Sequence, residues 1–120
     1  MSKNQDERLR INDIWILTNL RGEDFPVQEG GKVPQLEIHV RDKSVFGNAF
    51  CNSIRGNFTK LTDSEIQFGT FATTRMFCQD QELEDQYLQA IGSTRRYVIH
   101  DLTLSFLDST QEVLKFKKID

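Results

Sequence analysis

Two short stretches decide the fold of this chain: GNAFCNSIRGNF at residues 47–58 and TTRMFC at residues 73–78. Gly47 and Gly56 interrupt segments that otherwise have strand character. A glycine in such a position indicates a β-bulge or the close approach of another backbone. Neither stretch contains a recognisable catalytic or cofactor motif. They therefore point to an architecture and to a small set of candidate residues, not to a reaction.

Apolar and polar residues alternate on both sides of these stretches with the period of a β-strand. Leu36, Ile38 and Val40, for example, alternate with polar neighbours, as in a strand with one buried face. The segment 21–34 holds five Gly and Pro residues and is predicted to be an exposed loop. We predict strands at residues 14–17, 36–40, 45–50, 54–60, 65–71, 96–100, 102–107 and 113–117, with Leu104, Phe106, Leu114 and Phe116 on one inner face.

Residues 81–91 are the one segment with clear helical periodicity. The residues of its apolar face are Leu83, Tyr87, Leu88 and Ile91, whereas Glu82, Glu84, Asp85 and Gln89 fall elsewhere. We predict Asp80 as the residue that caps the helix and Gly92 as its left-handed end. The fold class is a single α+β domain, a mostly antiparallel curved sheet of about seven or eight strands with one main helix covering one face or end.

Length and charge exclude several classes of protein. The chain has 120 residues and a net charge of −3, and no run of Lys and Arg exceeds a pair, so we expect no nucleic-acid binding. No apolar stretch approaches the roughly 20 residues of a membrane span, and the sequence as written shows no export signal. We predict that residues 1–10 form a disordered or flexible tail and that residues 11–120 form the folded domain.

The middle stretches, together with Trp15, Tyr97 and the closing hairpin, resemble the META (HslJ-like) domain family. The resemblance runs from about residue 14 to residue 116. Its specific part is the combination of Gly47, Cys51-Asn52, Gly56 and Phe58 with Thr74-Arg75-Met76 and Cys78. The chain departs from the family at two positions, because Phe50 replaces a usual Gly and Phe77 replaces a usual small residue. We expect these larger side chains to change the packing beside the cysteines.

The resemblance implies a bacterial envelope protein, either periplasmic or an outer-membrane lipoprotein, or a secreted one. Relatives are associated with heat induction, antibiotic tolerance and virulence, and the family brings no enzymatic activity. We therefore expect a non-enzymatic, stress-related binding or interaction module without cofactor or metal. Membrane attachment is expected only through a lipid anchor absent from this sequence. A cytoplasmic location stays open because no signal is present in the sequence as written.

Cys51 and Cys78 pose the sharpest chemical question. A bond between them would close a loop of 28 residues and would stabilise the fold by roughly 3.5 kcal/mol in the chain-entropy description. Reduced, buried thiols are the alternative. The residues give less support to a cysteine-dependent enzyme or redox protein, since no motif links His39 or His100 to a cysteine. A zinc site built from the same four residues lacks the paired spacing of zinc motifs.

The remaining candidate site residues belong to the family motif: Gly47, Asn52, Gly56, Thr74, Arg75 and Met76. In the structural interpretation, Thr74 and Arg75 satisfy backbone groups, Met76 fills the core and the Asn52 amide bonds a turn. In the functional interpretation, Arg75 offers its guanidinium to an anionic partner.

The partner is expected to be an unknown protein, peptide or apolar ligand, and a small hydrophobic ligand or lipid is the alternative. The concave side of the sheet is the candidate surface. The chain has nine Phe residues, which either line a groove there or fill the core. We expect a monomer or a weak dimer.

Overall fold

A computed structural model describes residues 7–25, 33–76 and 81–119. The described chain begins with a 3-10 helix at Glu7–Ile11. It continues through β1 Ile14–Leu20, β2 Glu23–Asp24, β3 Gln35–His39, β4 Ser44–Asn48, β5 Ser53–Leu61, β6 Ile66–Phe68, β7 Ala72–Thr73, α1 Gln81–Ser93, β8 Arg96–His100, β9 Thr103–Leu107 and β10 Glu112–Lys118. Two of these ten strands, β2 and β7, have only two residues each, so the eight longer strands match the predicted number.

All strand pairs of the sheet are antiparallel, in the order β6-β5-β4-β3-β1-β10-β9-β8, with β2 beside β1 and β7 beside β5. The sheet curls until its two ends meet. The Ile66 amide donates to the Arg95 carbonyl at 3.1 Å, and the Tyr97 amide donates to the Ser64 carbonyl at 3.0 Å. Helix α1 packs against β6 and β10. The predicted α+β domain with a curved antiparallel sheet and one main helix is confirmed.

The hydrophobic core fills the concave side of this sheet. Leu114 pairs with Phe106 and Phe116 with Leu104 across β9 and β10, and all four side chains are fully buried, as predicted. Trp15 lies in the same core and is 1% exposed. Among the described residues, core side chains occupy the concave side, which favours the alternative that the Phe residues fill the core over a groove there.

Gly47 confirms the expectation of a close backbone approach. It pairs with Leu36 on β3, and a Cβ atom built on Gly47 would lie 2.1 Å from the carbonyl oxygen of Gln35. Gly56 meets the Phe71 ring, at 3.1 Å from a Cβ in the same position. Packing therefore requires glycine at position 47 and leaves little room for a side chain at position 56, and neither glycine lies at a register shift of the sheet.

Helix α1 is longer than predicted, because Gly92 does not end it. Gly92 lies inside the helix, and the only described glycine with positive φ is Gly22. The helix instead ends at Ser93, where two hydroxyl groups bind a carbonyl of the last turn. Ser93 Oγ and the buried Thr94 Oγ1 both donate to the carbonyl of Ala90 at 2.9 Å. Asp80, the predicted N-terminal cap, lies outside the described residues.

Three segment boundaries differ from the predicted ones. The predicted loop 21–34 contains β2, which folds back onto β1, and residues 26–32 lie outside the described chain. The predicted strand 65–71 is shortened to β6 at Ile66–Phe68, and β7 follows it at Ala72–Thr73. The predicted boundary between residues 10 and 11 falls inside the N-terminal 3-10 helix, whose last residue, Ile11, is fully buried and accepts a hydrogen bond from Trp15 Nε1 at 3.0 Å.

Candidate functional site

A buried carboxylate, that of Glu84 on α1, lies at the centre of the motif residues. Glu84 is 1% exposed. Its Oε1 accepts hydrogen bonds from the backbone amides of Cys51 at 2.8 Å and Asn52 at 2.9 Å, and its Oε2 accepts one from Asn52 Nδ2 at 2.6 Å. These bonds replace the water that the charge loses on burial. The carboxylate thereby joins the helix to the turn between β4 and β5.

Asn52 extends these contacts to the segment that follows β7. Its Oδ1 accepts hydrogen bonds from Thr74 Oγ1 and from the Met76 amide, both at 2.8 Å. The Thr74 hydroxyl in turn accepts from the Ser53 amide at 3.1 Å. We call the side chains of Glu84, Asn52 and Thr74, with the backbone groups they bind, the Asn52 network. The Asn52 amide thus bonds within the fold, but to helix α1 and to the segment after β7 and not to a turn.

The electrostatics of Glu84 favour its charged form. Desolvation by burial acts to raise the pKa of Glu84, but the hydrogen bonds from the Asn52 side chain and from the Asn52 and Cys51 amides outweigh it, and the net pKa is lowered. The phenol of Tyr87, on the same helix, is fully buried and has no hydrogen-bond partner among the described residues, and burial raises its pKa. Glu84 is therefore an ionised group inside the fold, held by amide donors.

The structure places Thr74, Arg75 and Met76 at the surface, next to the Asn52 network. Thr74 satisfies backbone groups as predicted, whereas Arg75 is exposed. The prediction that Met76 fills the core is wrong, because its side chain is 56% exposed while its amide is held by Asn52. Phe50, which departs from the family pattern, packs between Phe25 and Tyr87, with ring centroids at 5.3 and 6.1 Å.

Cys51 is disulfide-bonded. The other cysteine of the sequence, Cys78, lies outside the described residues, as does Phe77, so the Cys51–Cys78 pairing stays a prediction. Because the Cys51 amide also donates to Glu84, the covalent link and the Asn52 network meet at the same turn.

The histidines lie away from this turn. His39 Nε2 is 2.7 Å from Glu37 Oε2 and its ring meets the edge of Phe46, while His100 lies 3.8 Å from Asp101 and is largely exposed. No group of three or more His, Cys, Asp or Glu side chains within 7–25, 33–76 and 81–119 is placed to hold a metal ion.

An apolar groove of about 430 Å³ lies next to the Asn52 network, on the face of β4, β5 and β7 opposite the core. We call it the outer groove; it is lined by Phe46, Gly47, Ser53, Ile54, Arg55, Ala72, Thr73 and Thr74. The Arg55 guanidinium lies over the Phe46 ring, 5.6 Å from its centroid. A cleft of about 370 Å³ adjoins it, shares Thr73 and Thr74, and reaches Asn52 and Glu84.

Comparison with known protein families assigns the chain to a family. The sequence model of the META domain matches residues 7–120. The chain belongs to the META domain family. The motif positions Asn52 and Thr74 thus form the polar network of this META domain, and Gly47 and Thr74 line its outer groove.

Two solved structures share the fold of this META domain. An NMR structure of a protein from Burkholderia xenovorans has a TM-score of 0.74 and 22% sequence identity, over 94% of this chain and 86% of that one. A second NMR structure has a TM-score of 0.67 and 20% identity, over 98% and 95% of the two chains. No curated protein matches the chain significantly. These likenesses show the fold and no activity.

Glu84 is the site residue that the sequence analysis missed. It was placed outside the apolar face of α1, although it lies one turn before Leu88 and two turns before Ile91. A glutamate in the middle of an apolar stripe was the available signal. In the META domain that position is filled by a charge because the β4–β5 turn supplies its hydrogen-bond donors.

Proposed function

We propose that this META domain is a non-enzymatic binding or interaction module of the bacterial cell envelope or secretome, and that the outer groove is its ligand site. The observation that carries the proposal is the position of the groove. Its wall at β7 is fixed by the same side chains that define the family motif. A motif that serves a surface groove supports a binding role better than a motif confined to the core does.

The Asn52 network determines the shape of the groove. The short strand β7 pairs with β5 through Ile54 with Thr73 and Arg55 with Ala72. Immediately after β7, the amide of Thr74 donates to the Ser53 carbonyl at 3.1 Å, and the Thr74 hydroxyl binds Asn52. A two-residue strand gains little from its own ladder, so these bonds hold the wall in place.

The lining favours a ligand that combines an apolar segment with a negative group. The volume of about 430 Å³ accommodates a short apolar chain or the side chains of an extended peptide. Arg55 is exposed at the edge and can bind a carboxylate. We propose an apolar segment of a protein or peptide partner as the ligand. A small hydrophobic molecule or lipid is the second candidate, which the apolar lining also supports.

The disulfide-bonded state of Cys51 supports placement in an oxidising compartment. It also argues against Cys51 as an enzyme nucleophile, because that role requires a free thiolate. The described part of the chain contains no helix with the length and apolar character of a membrane span. Envelope or secreted location is therefore proposed from the family and the disulfide together.

Blocking the groove tests the proposal. Ala72→Trp places an indole in the outer groove, and Val98→Trp adds the same group at a 53% exposed position on β8, away from it. The probe is an apolar fluorophore with a sulfonate group, titrated into protein prepared from the periplasm. We expect saturable one-to-one binding by wild type and Val98→Trp and loss of binding by Ala72→Trp. Equal binding by both variants, or none by wild type, would refute the proposal.

A further inference from the structure

A second pocket, of about 490 Å³, has a strongly cationic lining. It lies between the N-terminal 3-10 helix, the β3–β4 turn and the end of β5. Every ionisable residue that lines it is positive: Arg8, Arg41, Lys43 and Lys60. The chain as a whole has a net charge of −3, so the pocket is positive in a protein that is negative overall. The pocket shares no lining residue with the outer groove.

The pocket has a defined frame. The Val40 amide donates to Asn12 Oδ1 at 2.8 Å, which ties the turn to the N-terminal segment. The Phe58 amide donates to the Lys43 carbonyl at 3.3 Å, which ties the same turn to β5. Asp42, the acidic residue between the two turn cations, lines a neighbouring cleft instead. The carboxylate of Asp42 therefore does not line the cationic pocket.

The backbone at Lys43 is unfavourable for a lysine. Its φ is +57°, in the left-handed region where glycine or asparagine is usual after a tight turn. The chain nevertheless has an ammonium group at this point of the pocket. Lys60 is 3.2 Å from Glu65 and Arg8 also makes another contact, so Arg41 and Lys43 are the cations on which a ligand depends most. Arg21 and Asp101 have the same left-handed conformation, so the argument for Lys43 rests on its place in the pocket lining and not on its backbone.

Apolar side chains accompany the cations. Leu9, at the rim, is 55% exposed, and Val40 and Leu61 are partly buried in the lining. An exposed leucine beside several cations is the arrangement by which proteins contact an anionic bilayer surface, where the apolar group enters the interface and the cations bind phosphate groups. We propose that this pocket binds the phosphate headgroup of an anionic phospholipid and docks the domain on a membrane surface.

Vesicle flotation with the full chain tests this proposal. The vesicles are phosphatidylcholine with or without phosphatidylglycerol. We expect salt-sensitive binding to the anionic vesicles only, because surface charges are screened at high salt. Arg41→Gln/Lys43→Gly should lower the partition coefficient about 25-fold, or about fivefold for each cation. The control Arg96→Gln/Lys117→Gln removes the same charge from exposed positions on β8 and β10 and should change it by less than about twofold.

A single variant separates folding from binding. Lys43→Gly relieves the left-handed backbone, so its unfolding midpoint should equal or exceed that of wild type while vesicle binding falls. If the two double variants lose vesicle binding equally, the effect is due to net charge alone and the proposal is overturned. Absence of vesicle binding by the wild type at low salt would also overturn it. Inorganic phosphate that binds as strongly as the vesicles, or an oligonucleotide that binds only with Arg41 and Lys43 present, would reject the lipid assignment.

Discussion

Asn52 Nδ2 donates a hydrogen bond of 2.6 Å to Glu84 Oε2, between residues that lie 32 positions apart in the chain. This bond connects the only described α-helix to the family motif and is made inside the fold, where both groups are at most 3% exposed. A hydrogen bond to a charged acceptor in such surroundings is stronger than a neutral one, and its loss leaves donors unsatisfied. Stability and groove shape are therefore linked at Glu84.

Glu84→Gln should destabilise the domain by about 2–3 kcal/mol, because an amide cannot accept all the hydrogen bonds that the carboxylate accepts. Its NH₂ group would also face the Asn52 NH₂ group. Urea denaturation at neutral pH measures the change in free energy of unfolding. Glu82→Gln, an exposed change on the same helix, is the control and should stay within about 0.5 kcal/mol of wild type. Equal effects of the two changes would contradict this assignment.

Stability should fall in acid because the pKa of Glu84 is lower in the folded state than in the unfolded state. The unfolded chain then binds more protons near the ordinary glutamate value of 4.5. The contribution is complete above that value and is lost as the pH falls through the folded pKa. Backbone hydrogen bonds from Thr110 and Gln111 also lower the pKa of Asp108. Glu84→Gln should therefore remove only part of the fall in the free energy of unfolding at acid pH. An unchanged slope in Glu84→Gln would contradict the prediction.

Asn52→Asp should destabilise the domain by about 3 kcal/mol at neutral pH, since it places a second carboxylate against Glu84 in a buried site. Part of the loss should be recovered at mildly acidic pH, where the two groups can share a proton. Urea denaturation at both pH values is the measurement. Asn57→Asp, at an exposed position on β5, adds the same charge and should show neither effect.

Two glycine-to-alanine changes should have opposite effects on the free energy of unfolding. Gly47→Ala should cost about 3 kcal/mol, because the added methyl group meets the Gln35 carbonyl oxygen across β3 and β4. Gly92→Ala should stabilise by about 0.5–1 kcal/mol, since the position is helical and the new Cβ meets no atom within 4 Å. Thermal and urea unfolding compare them. A stabilising Gly47→Ala or a strongly destabilising Gly92→Ala would show the backbone placement to be wrong.

The alternation of apolar and polar residues predicted which side chains of the closing hairpin are buried, because this pattern can be recognised from neighbouring residues alone. Leu104, Phe106, Leu114 and Phe116 alternate with polar residues and are all buried. Closure of the sheet was not predicted, since the bonds of Ile66 to Arg95 and of Tyr97 to Ser64 join distant segments through backbone groups. Backbone pairing of that kind leaves no side-chain pattern. The sequence therefore left open whether the Phe residues line a groove or fill the core.

The candidate site was predicted in part. Asn52 and Thr74 were identified as motif residues, and their internal role was expected from their hydrogen-bonding groups. Glu84 was missed because a charged side chain is buried only where another part of the chain supplies its donors, and those donors are backbone amides on the β4–β5 turn. The side chain of Met76 was expected in the core, but its amide is fixed by Asn52, which keeps its side chain at the surface.

The ionised, buried carboxylate of Glu84 is the group on which the Asn52 network and the wall of the outer groove depend. An NMR titration of the Glu84 carboxyl carbon in the folded domain tests it directly. We predict a pKa below the ordinary glutamate value of 4.5, with the Cys51 and Asn52 amide signals shifting at the same midpoint. A Glu84 pKa above 4.5, with no response of those amides, would contradict a charged centre held by the motif.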